Sequence, residues 1–283
     1  MMLSLIAALV LGQAKVDRDV VFATAGGQEL KMNLHFPPGS PVGPTAAVIV
    51  IHGGAWMTGE RKDMEALSDA ISKAGMLAAN VDYRLAPKFK YPTMIDDVQT
   101  AVRYLRANAS KYNIDPKRIG AAGASAGGHL SLLLGFTDTR DPKPTDFPKE
   151  SSRVSAVLDL FGPTDMSRDF PKSLDMMYTL VLGKARDQAA AEIKAASPMT
   201  YVTAASAPVF IIQGTTDPLV NLNQSKILEA KLKEMKVPVE AVYIEGMGHG
   251  PGGSDSEEIK KRFLESVAKG IEWMKAKLAT SGK

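Results

Sequence analysis

The sequence predicts an α/β fold, a mostly parallel central sheet with helices on both faces, entered through an N-terminal antiparallel hairpin. Runs such as "AAVIVIHGG" and "APVFIIQG" are continuously apolar and rich in β-branched residues, which suits strands buried on both faces. Such runs alternate along the chain with segments whose apolar residues recur at helical spacing. Only near the start does a strand-like run alternate between polar and apolar residues, the pattern of a half-buried antiparallel strand.

In order, "DVVFAT" and "QELKMNLHF" form the opening hairpin, with Gly26 and Gly27 at its turn and Leu30, Met32, Leu34 and Phe36 on one face. After the breaker-rich "PPGSPVGP", "AAVIVIHGG" starts the parallel sheet. "MEALSDAISKAG" reads as a helix and "MLAANVDYR" as a strand. "TMIDDVQTAVRYLRANASKY" reads as one helix, with Ile95, Val98, Val102 and Leu105 on a common face. The strand "RIGAAGA" runs into the helix "AGGHLSLLLG", and the strand "VSAVLDLFG" follows. From about 165 to 207 the rhythm breaks, which predicts a small helical insertion over the carboxyl edge of the sheet. Its Phe170, Met176, Met177 and Tyr178 are candidates to wall a pocket. "APVFIIQG", "QSKILEAKLKEMK", "VEAVYIEG" and "SEEIKKRFLESVAKGIEWMKAKL" then complete the series as strand, helix, strand and helix.

At 283 residues, 45% hydrophobic and 23% charged, the chain has the composition of a folded globular protein. One α/β domain over 15–283 is the expected organisation. Thirty-four basic residues are interspersed with 31 acidic ones, and no long like-charge run offers a footprint for nucleic acid. The absence of cysteine excludes disulfides, thiolate metal sites and a cysteine nucleophile. Residues 1–14 are uncharged, with an apolar stretch from Leu3 to Leu11 too short to span a bilayer and small residues, Gly12 and Ala14, after it. This pattern predicts an export signal, hence a periplasmic or secreted protein with no stable membrane anchor; the alternative is a retained segment and a cytoplasmic protein. Oligomeric state is not encoded in any pattern of this sequence.

Ligands of open α/β sheets bind beyond the carboxyl ends of the strands, so the residues that follow each strand carry the functional information. Ser125, in "GASAG", stands between a strand and a helix, where a sharp turn lifts a hydroxyl above the sheet. A serine needs a base, usually a histidine oriented by a carboxylate. Of the four histidines, His35 lies on a face of the hairpin, His52 follows the third strand, and His129 sits one helical turn beyond Ser125 in a packing or pocket-lining position. His249, in "EGMGHG", follows the last strand on a glycine-bracketed loop and is the candidate base. Asp217, in "GTTDPLV", is the candidate acid, with Asp159 and Asp165 as competitors one strand earlier. Ser125, Asp217 and His249 then appear in the chain order nucleophile, acid, base. In "HGGAW", Gly53 and Gly54, with the N–H of Ala126, are candidate donors to a developing oxyanion.

Together, "HGGAW", "VDYRLAP", "IDPKRIGAAGASAGGHLSLLLG", "DLFGPTD", "GTTDPLV" and "GMGHG" resemble the α/β-hydrolase serine esterases, specifically the hormone-sensitive-lipase-like and bacterial feruloyl-esterase-like (BD-FAE) branch. The resemblance implies Ser125 as nucleophile, His249 as base then acid, Asp217 as its orienter, and Gly53, Gly54 and Ala126 as the oxyanion hole. It implies hydrolysis of short-acyl or carbohydrate-linked acetyl or feruloyl esters, as small molecules or on a polysaccharide, with no metal or organic cofactor. Trp56 and His129 are then candidate substrate-binding residues, and Asp82, Tyr83 and Arg84 hold the adjoining loop. Ala55 replaces the third glycine usual in the lipase-like branch, and no large N-terminal lid precedes the sheet, so an open site is expected. The alternatives are a serine peptidase of the prolyl-oligopeptidase-like type and a ligand-binding homologue without turnover.

Overall fold

Eight strands form one sheet in the order β1-β2-β4-β3-β5-β6-β7-β8 in a computed structural model that describes residues 15–39, 41, 43–253 and 256–280. The export signal expected over 1–14 lies outside the described residues. β1 (Val16–Ala25) and β2 (Gln28–His35) pair antiparallel across a turn in which Gly26 and Gly27 both have positive φ, 60° and 77°. β2 also pairs antiparallel with β4 (Leu77–Val81). Every later neighbour is parallel: β3 (Thr45–Ile51), β5 (Ile114–Ala124), β6 (Val157–Leu160), β7 (Val209–Gly214) and β8 (Val239–Ile244).

The apolar runs are two-sided because each strand feeds two cores. Ile49, Ile51, Ala121, Val157, Val209 and Ile211 point into one cluster with Val98 and Leu130. Their neighbours Val48, Val50, Ala122, Leu158, Phe210 and Ile212 point into the other, with Ile71, Met274 and Leu278. The first face is covered by α2 (Thr93–Ala107), α4 (Ala126–Phe136) and, more peripherally, α7 (Leu222–Glu234). α1 (Glu65–Lys73) and α8 (Glu257–Thr280) cover the second. Each large side chain so buried stabilises the fold by about 1.5–3 kcal/mol before chain entropy is set against it.

Two local features depart from the expected pattern. The segment from Thr93 to Tyr112 is broken at Asn108, whose Nδ2 donates back to the Tyr104 carbonyl (2.9 Å); α2 ends there, and the single turn α3 (Ala109–Tyr112) follows. The insertion contains α5 (Asp175–Leu182) and α6 (Ala190–Ala196), but Phe170, Met177 and Tyr178 are buried and do not wall an open pocket. Tyr178 donates to the Met166 carbonyl (2.6 Å) and meets Phe170 edge to face, so these rings form the insertion's own small core; Met176 alone of the four is exposed. Among the described residues no helix is long and apolar enough to cross a membrane.

The strand order places the site. From β3 the chain crosses to β4 on one side and later returns to β5 on the other, with Ile51 in register with Gly123. The loops leaving β3 and β5 therefore diverge from adjacent strand ends and open a crevice at the point of reversal.

Candidate active site

Ser125 is the hinge between β5 and α4. Its backbone has φ 55° and ψ −118°, outside the regions comfortable for an L-residue and costing on the order of 1–3 kcal/mol. The surrounding structure holds it there: Ser125 N–H donates to the Leu160 carbonyl (2.8 Å), and its own carbonyl accepts from His129 N–H (3.0 Å). The flanking glycines are required by close approach. A Cβ on Gly123 would lie 2.4 Å from the Gly127 carbonyl, and one on Gly127 would lie 2.0 Å from the Ile51 carbonyl oxygen. The hydroxyl therefore stands above the sheet at the positive end of α4.

His249 reaches this hydroxyl from the loop after β8. Its Nε2 is 2.8 Å from Ser125 Oγ, and its Nδ1 is 2.8 Å from Asp217 Oδ2, so the three residues predicted from 125, 217 and 249 are brought together. Asp217 follows β7 with its carboxylate buried. Its Oδ1 accepts from the N–H groups of Leu219 (2.8 Å) and Val220 (2.9 Å). Burial alone would raise this carboxyl, but the hydrogen bonds from His249, Val220 and Leu219 outweigh it and hold the group below its ordinary value. An ionised carboxylate can only accept, which puts the histidine proton on Nδ1 and leaves Nε2 free to accept from Ser125.

One partner of Asp217 was missed in the sequence reading. Gln213, buried in β7, donates from Nε2 to Asp217 Oδ2 (2.9 Å) and to the Val220 carbonyl (3.0 Å), while its Oε1 accepts from Ser225 (3.2 Å). Phe161, after β6, sets the edge-to-face wall against the His249 ring at a centroid distance of 4.9 Å. A polar residue at the end of an apolar strand, directly before the acid loop, was the only available cue to Gln213.

The loop after β3 lies against the serine. A Cβ on Gly53 would stand 3.4 Å from Ser125 Cβ and 2.9 Å from the Ala124 carbonyl oxygen, so only glycine allows this approach. Gly54 has φ 104°, and its carbonyl accepts from Met57 N–H (2.9 Å) and Thr58 N–H (3.0 Å), closing a tight turn. Two buried side chains fix the peptide planes here. His52 Nδ1–H donates to the Gly53 carbonyl (2.7 Å), and Tyr83 donates to the His52 carbonyl (3.1 Å) while its ring stacks on His52 at 4.3 Å. Burial keeps His52 neutral by lowering its pKa, and keeps the Tyr83 phenol protonated by raising its own. Asp82 and Arg84 act as structural ties: Asp82 pairs with Arg61, and Arg84 grips Asp97 through Nε and Nη2.

Trp56 and His129, the candidate substrate-binding residues, pack against each other inside the protein. They are 3% and 1% exposed and bond to each other, Trp56 Nε1–H donating to His129 Nδ1 (3.3 Å). His129 Nε2–H donates in turn to the Ala196 carbonyl (2.6 Å), tying the β3 loop, α4 and the insertion together. Burial drives the His129 pKa down to about 4, so it is a neutral structural histidine. The competing acids are also accounted for. Asp165 accepts from Ser167, and Asp159 is buried beneath α4, accepting from Gly162 N–H (3.0 Å), with burial raising its pKa to about 8. Among the described residues the one cluster with metal-ligand spacing is His35, Glu65 and Asp69, away from these side chains.

A Ser–His–carboxylate relay beside glycine N–H groups and a helix N-terminus can deprotonate a hydroxyl and stabilise a developing oxyanion. Comparison with known proteins agrees with this chemistry. Esterase LipC of Mycobacterium tuberculosis is 31% identical over 217 residues, covering 74% of this chain and 54% of that protein. The versiconal hemiacetal acetate esterase of Dothistroma septosporum is 26% identical over 251 residues, covering 82% and 74%. The chain spans about half the length of LipC and of the probable carboxylic ester hydrolase LipM. Among solved structures, a truncated carbohydrate esterase from gut microbiota superposes with a TM-score of 0.78 at 26% identity, over 94% of this chain and 97% of that one. An acetyl ester-xyloside bifunctional hydrolase from Caldicellulosiruptor lactoaceticus gives 0.74 at 25% identity, over 87% and 88%. The sequence model of BD-FAE matches residues 32–232, which include Gly53, Gly54, Ser125 and Asp217. With that match over most of its length and this sheet beneath it, the chain has the α/β-hydrolase fold and belongs to the BD-FAE family.

Proposed function

We propose that this chain is a serine carboxylic-ester hydrolase that works through an acyl-enzyme. The observation that carries the reading is the continuous relay from Ser125 Oγ through His249 to Asp217, with both links at 2.8 Å. Ser125 Oγ attacks the ester carbonyl carbon while its proton passes to His249 Nε2. The carbonyl oxygen becomes an oxyanion against the N–H groups of Gly53, Gly54 and Ala126, each such donor lowering the barrier by about 3–4 kcal/mol. His249 then protonates the departing alcohol, and water repeats the sequence on the acyl-serine, releasing the acid and restoring the hydroxyl. Asp217 holds the imidazole in the tautomer and orientation that both halves require.

The substrates proposed are short-acyl esters and carbohydrate-linked acetyl or feruloyl esters. The carbohydrate esterase and acetyl ester-xyloside hydrolase named above support this class, being similar over most of the chain. The test is a panel of aryl acetate, aryl decanoate, acetylated xylan, methyl ferulate and a matched aryl amide, with wild type and Ser125→Ala. Turnover concentrated on the short and carbohydrate-linked esters, and absent in Ser125→Ala, is expected. Comparable rates on decanoate, faster cleavage of the amide, or an unaffected Ser125→Ala variant would each overturn the assignment. The apolar run Leu3–Leu11 supports export of the chain. Terminal sequencing of the native protein should find the mature chain starting close to Lys15; a retained Met1 contradicts it.

A further inference from the structure

We propose that the end of β2 and the first turns of α1 form a binding site for a divalent transition-metal ion of the zinc class, separate from the ester-cleaving relay. His35 is the last residue of β2 and is fully buried against α1. Glu65 and Asp69 are four residues apart on α1 and so lie on one face of it. Donor atoms of the three residues lie within 4.8 Å of one another.

The hydrogen-bond accounting points to a cation. His35 Nδ1 is 2.8 Å from Asp69 Oδ1, and because a carboxylate only accepts, Nδ1 carries the ring proton. The other ring nitrogen, Nε2, is buried and makes no hydrogen bond. It faces Glu65 Oε2 at 3.6 Å. A cation seated between Nε2 and Oε2 would satisfy both atoms. A zinc ion with ligand distances of about 2.0–2.2 Å and a ligand–metal–ligand angle of about 110–120° separates its donors by roughly 3.4–3.6 Å, which is the gap found.

The neighbours prepare this geometry. Glu65 Oε1 is occupied by Arg18 Nη1 and Asn33 Nδ2, both at 3.0 Å, which turns Oε2 toward His35. Arg18 Nη2 reaches Oε2 only at 3.5 Å, from an exposed side chain free to remain on Oε1. A carboxylate holding the second ring nitrogen of a ligating histidine is the usual outer support of such an ion, and Asp69 occupies that position. Glu65 is partly exposed, giving the ion and its completing waters a route from solvent. One imidazole nitrogen and one carboxylate oxygen, with waters completing the shell, favour zinc, manganese, iron or cobalt over a calcium-type cage. Bound there, the ion would staple β2 to α1, a structural role that leaves the reaction at Ser125 metal-free.

The test titrates the chelator-stripped full chain with Zn2+, and separately with Co2+, by calorimetry, visible absorption and thermal melting at neutral pH. One ion per chain at micromolar affinity, a melting temperature that climbs with free Zn2+, and a nitrogen- and oxygen-ligated Co2+ spectrum are expected. Glu65→Gln and Asp69→Asn preserve shape and should each weaken the affinity at least tenfold, and His35→Gln should abolish binding. If His35→Gln does not fold, the two α1 variants still decide. No saturable binding in the wild type overturns the proposal. Unchanged affinity in Glu65→Gln overturns it equally, because the ion would then sit elsewhere.

Discussion

Replacing Asp217 with asparagine changes one charge and almost no volume, yet the hydrogen-bond geometry leaves the new amide a single tolerable orientation. Oδ1 of Asp217 faces two backbone donors, Leu219 and Val220, which cannot turn away. The amide oxygen of the introduced asparagine must therefore take that side, and its NH2 group then faces His249 Nδ1 and Gln213 Nε2, which are both donors at present. Gln213 can flip only by surrendering its bonds to Val220 and Ser225. His249 can comply only by moving its proton to Nε2, where it donates to Ser125 and no longer accepts from it. The same tautomer error in a serine protease lowers kcat about 10⁴-fold, or about 5.4 kcal/mol at 1.36 kcal/mol per decade, and a loss of that order is expected here. KM should change little, because Asp217 lies behind the histidine. The misplaced donors should also cost about 1–3 kcal/mol of stability. The assay is kcat and KM for an aryl acetate, with thermal melts of both proteins. A variant within tenfold of the wild-type kcat would refute the reasoning.

Asp159→Asn should flatten the stability–pH profile: the Asp159 carboxyl, pushed up to about 8 by burial, stabilises fully below its unfolded value of ~3.9 and loses that contribution as pH rises toward the folded value. The variant should therefore gain on the order of a few kcal/mol over wild type at about pH 9, and parallel melting profiles would contradict this. Tyr83→Phe removes the bond to the His52 carbonyl and should lower kcat on the order of tenfold with KM unchanged, less than the 10²–10³ typical of deleting an oxyanion donor outright. A kinetic comparison on one short-chain ester suffices, and an unaltered kcat would remove Tyr83 from the support of that loop. Gly127→Ala drives a Cβ to 2.0 Å from the Ile51 carbonyl oxygen and should destabilise by about 3 kcal/mol or more, visible as a lower denaturant midpoint. A midpoint equal to wild type would mean the elbow is looser than its contacts indicate.

The architecture was legible because parallel strands leave an unmistakable trace: runs like Val48–Ile51 are apolar at every position since both faces of the sheet are covered. Ser125, Asp217 and His249 were legible for a related reason, each standing in the turn or loop that follows a strand, where this fold gathers its functional groups. What local pattern did not reveal were partners distant in sequence. His129 sits in a helix apolar on every side, and the residues that claim its two nitrogens are 73 and 67 positions away, so nothing local separated packing from pocket lining. Phe170, Met177 and Tyr178 looked like a pocket wall because an insertion has no periodicity that distinguishes its inside from its outside. Gln213 was hidden because a strand-end glutamine has many uses until the loop bearing Asp217 is folded over it.

The most direct test of the ester-cleaving relay is rapid quenching of the enzyme during turnover of an acetyl ester, followed by mass analysis of the intact chain and its peptides. One acetyl group on the peptide containing Ser125 is expected in wild type, accumulating further when deacylation is slowed and absent from Ser125→Ala. Acetyl on a different residue, or steady turnover by Ser125→Ala, would contradict the assignment of Ser125 as the nucleophile.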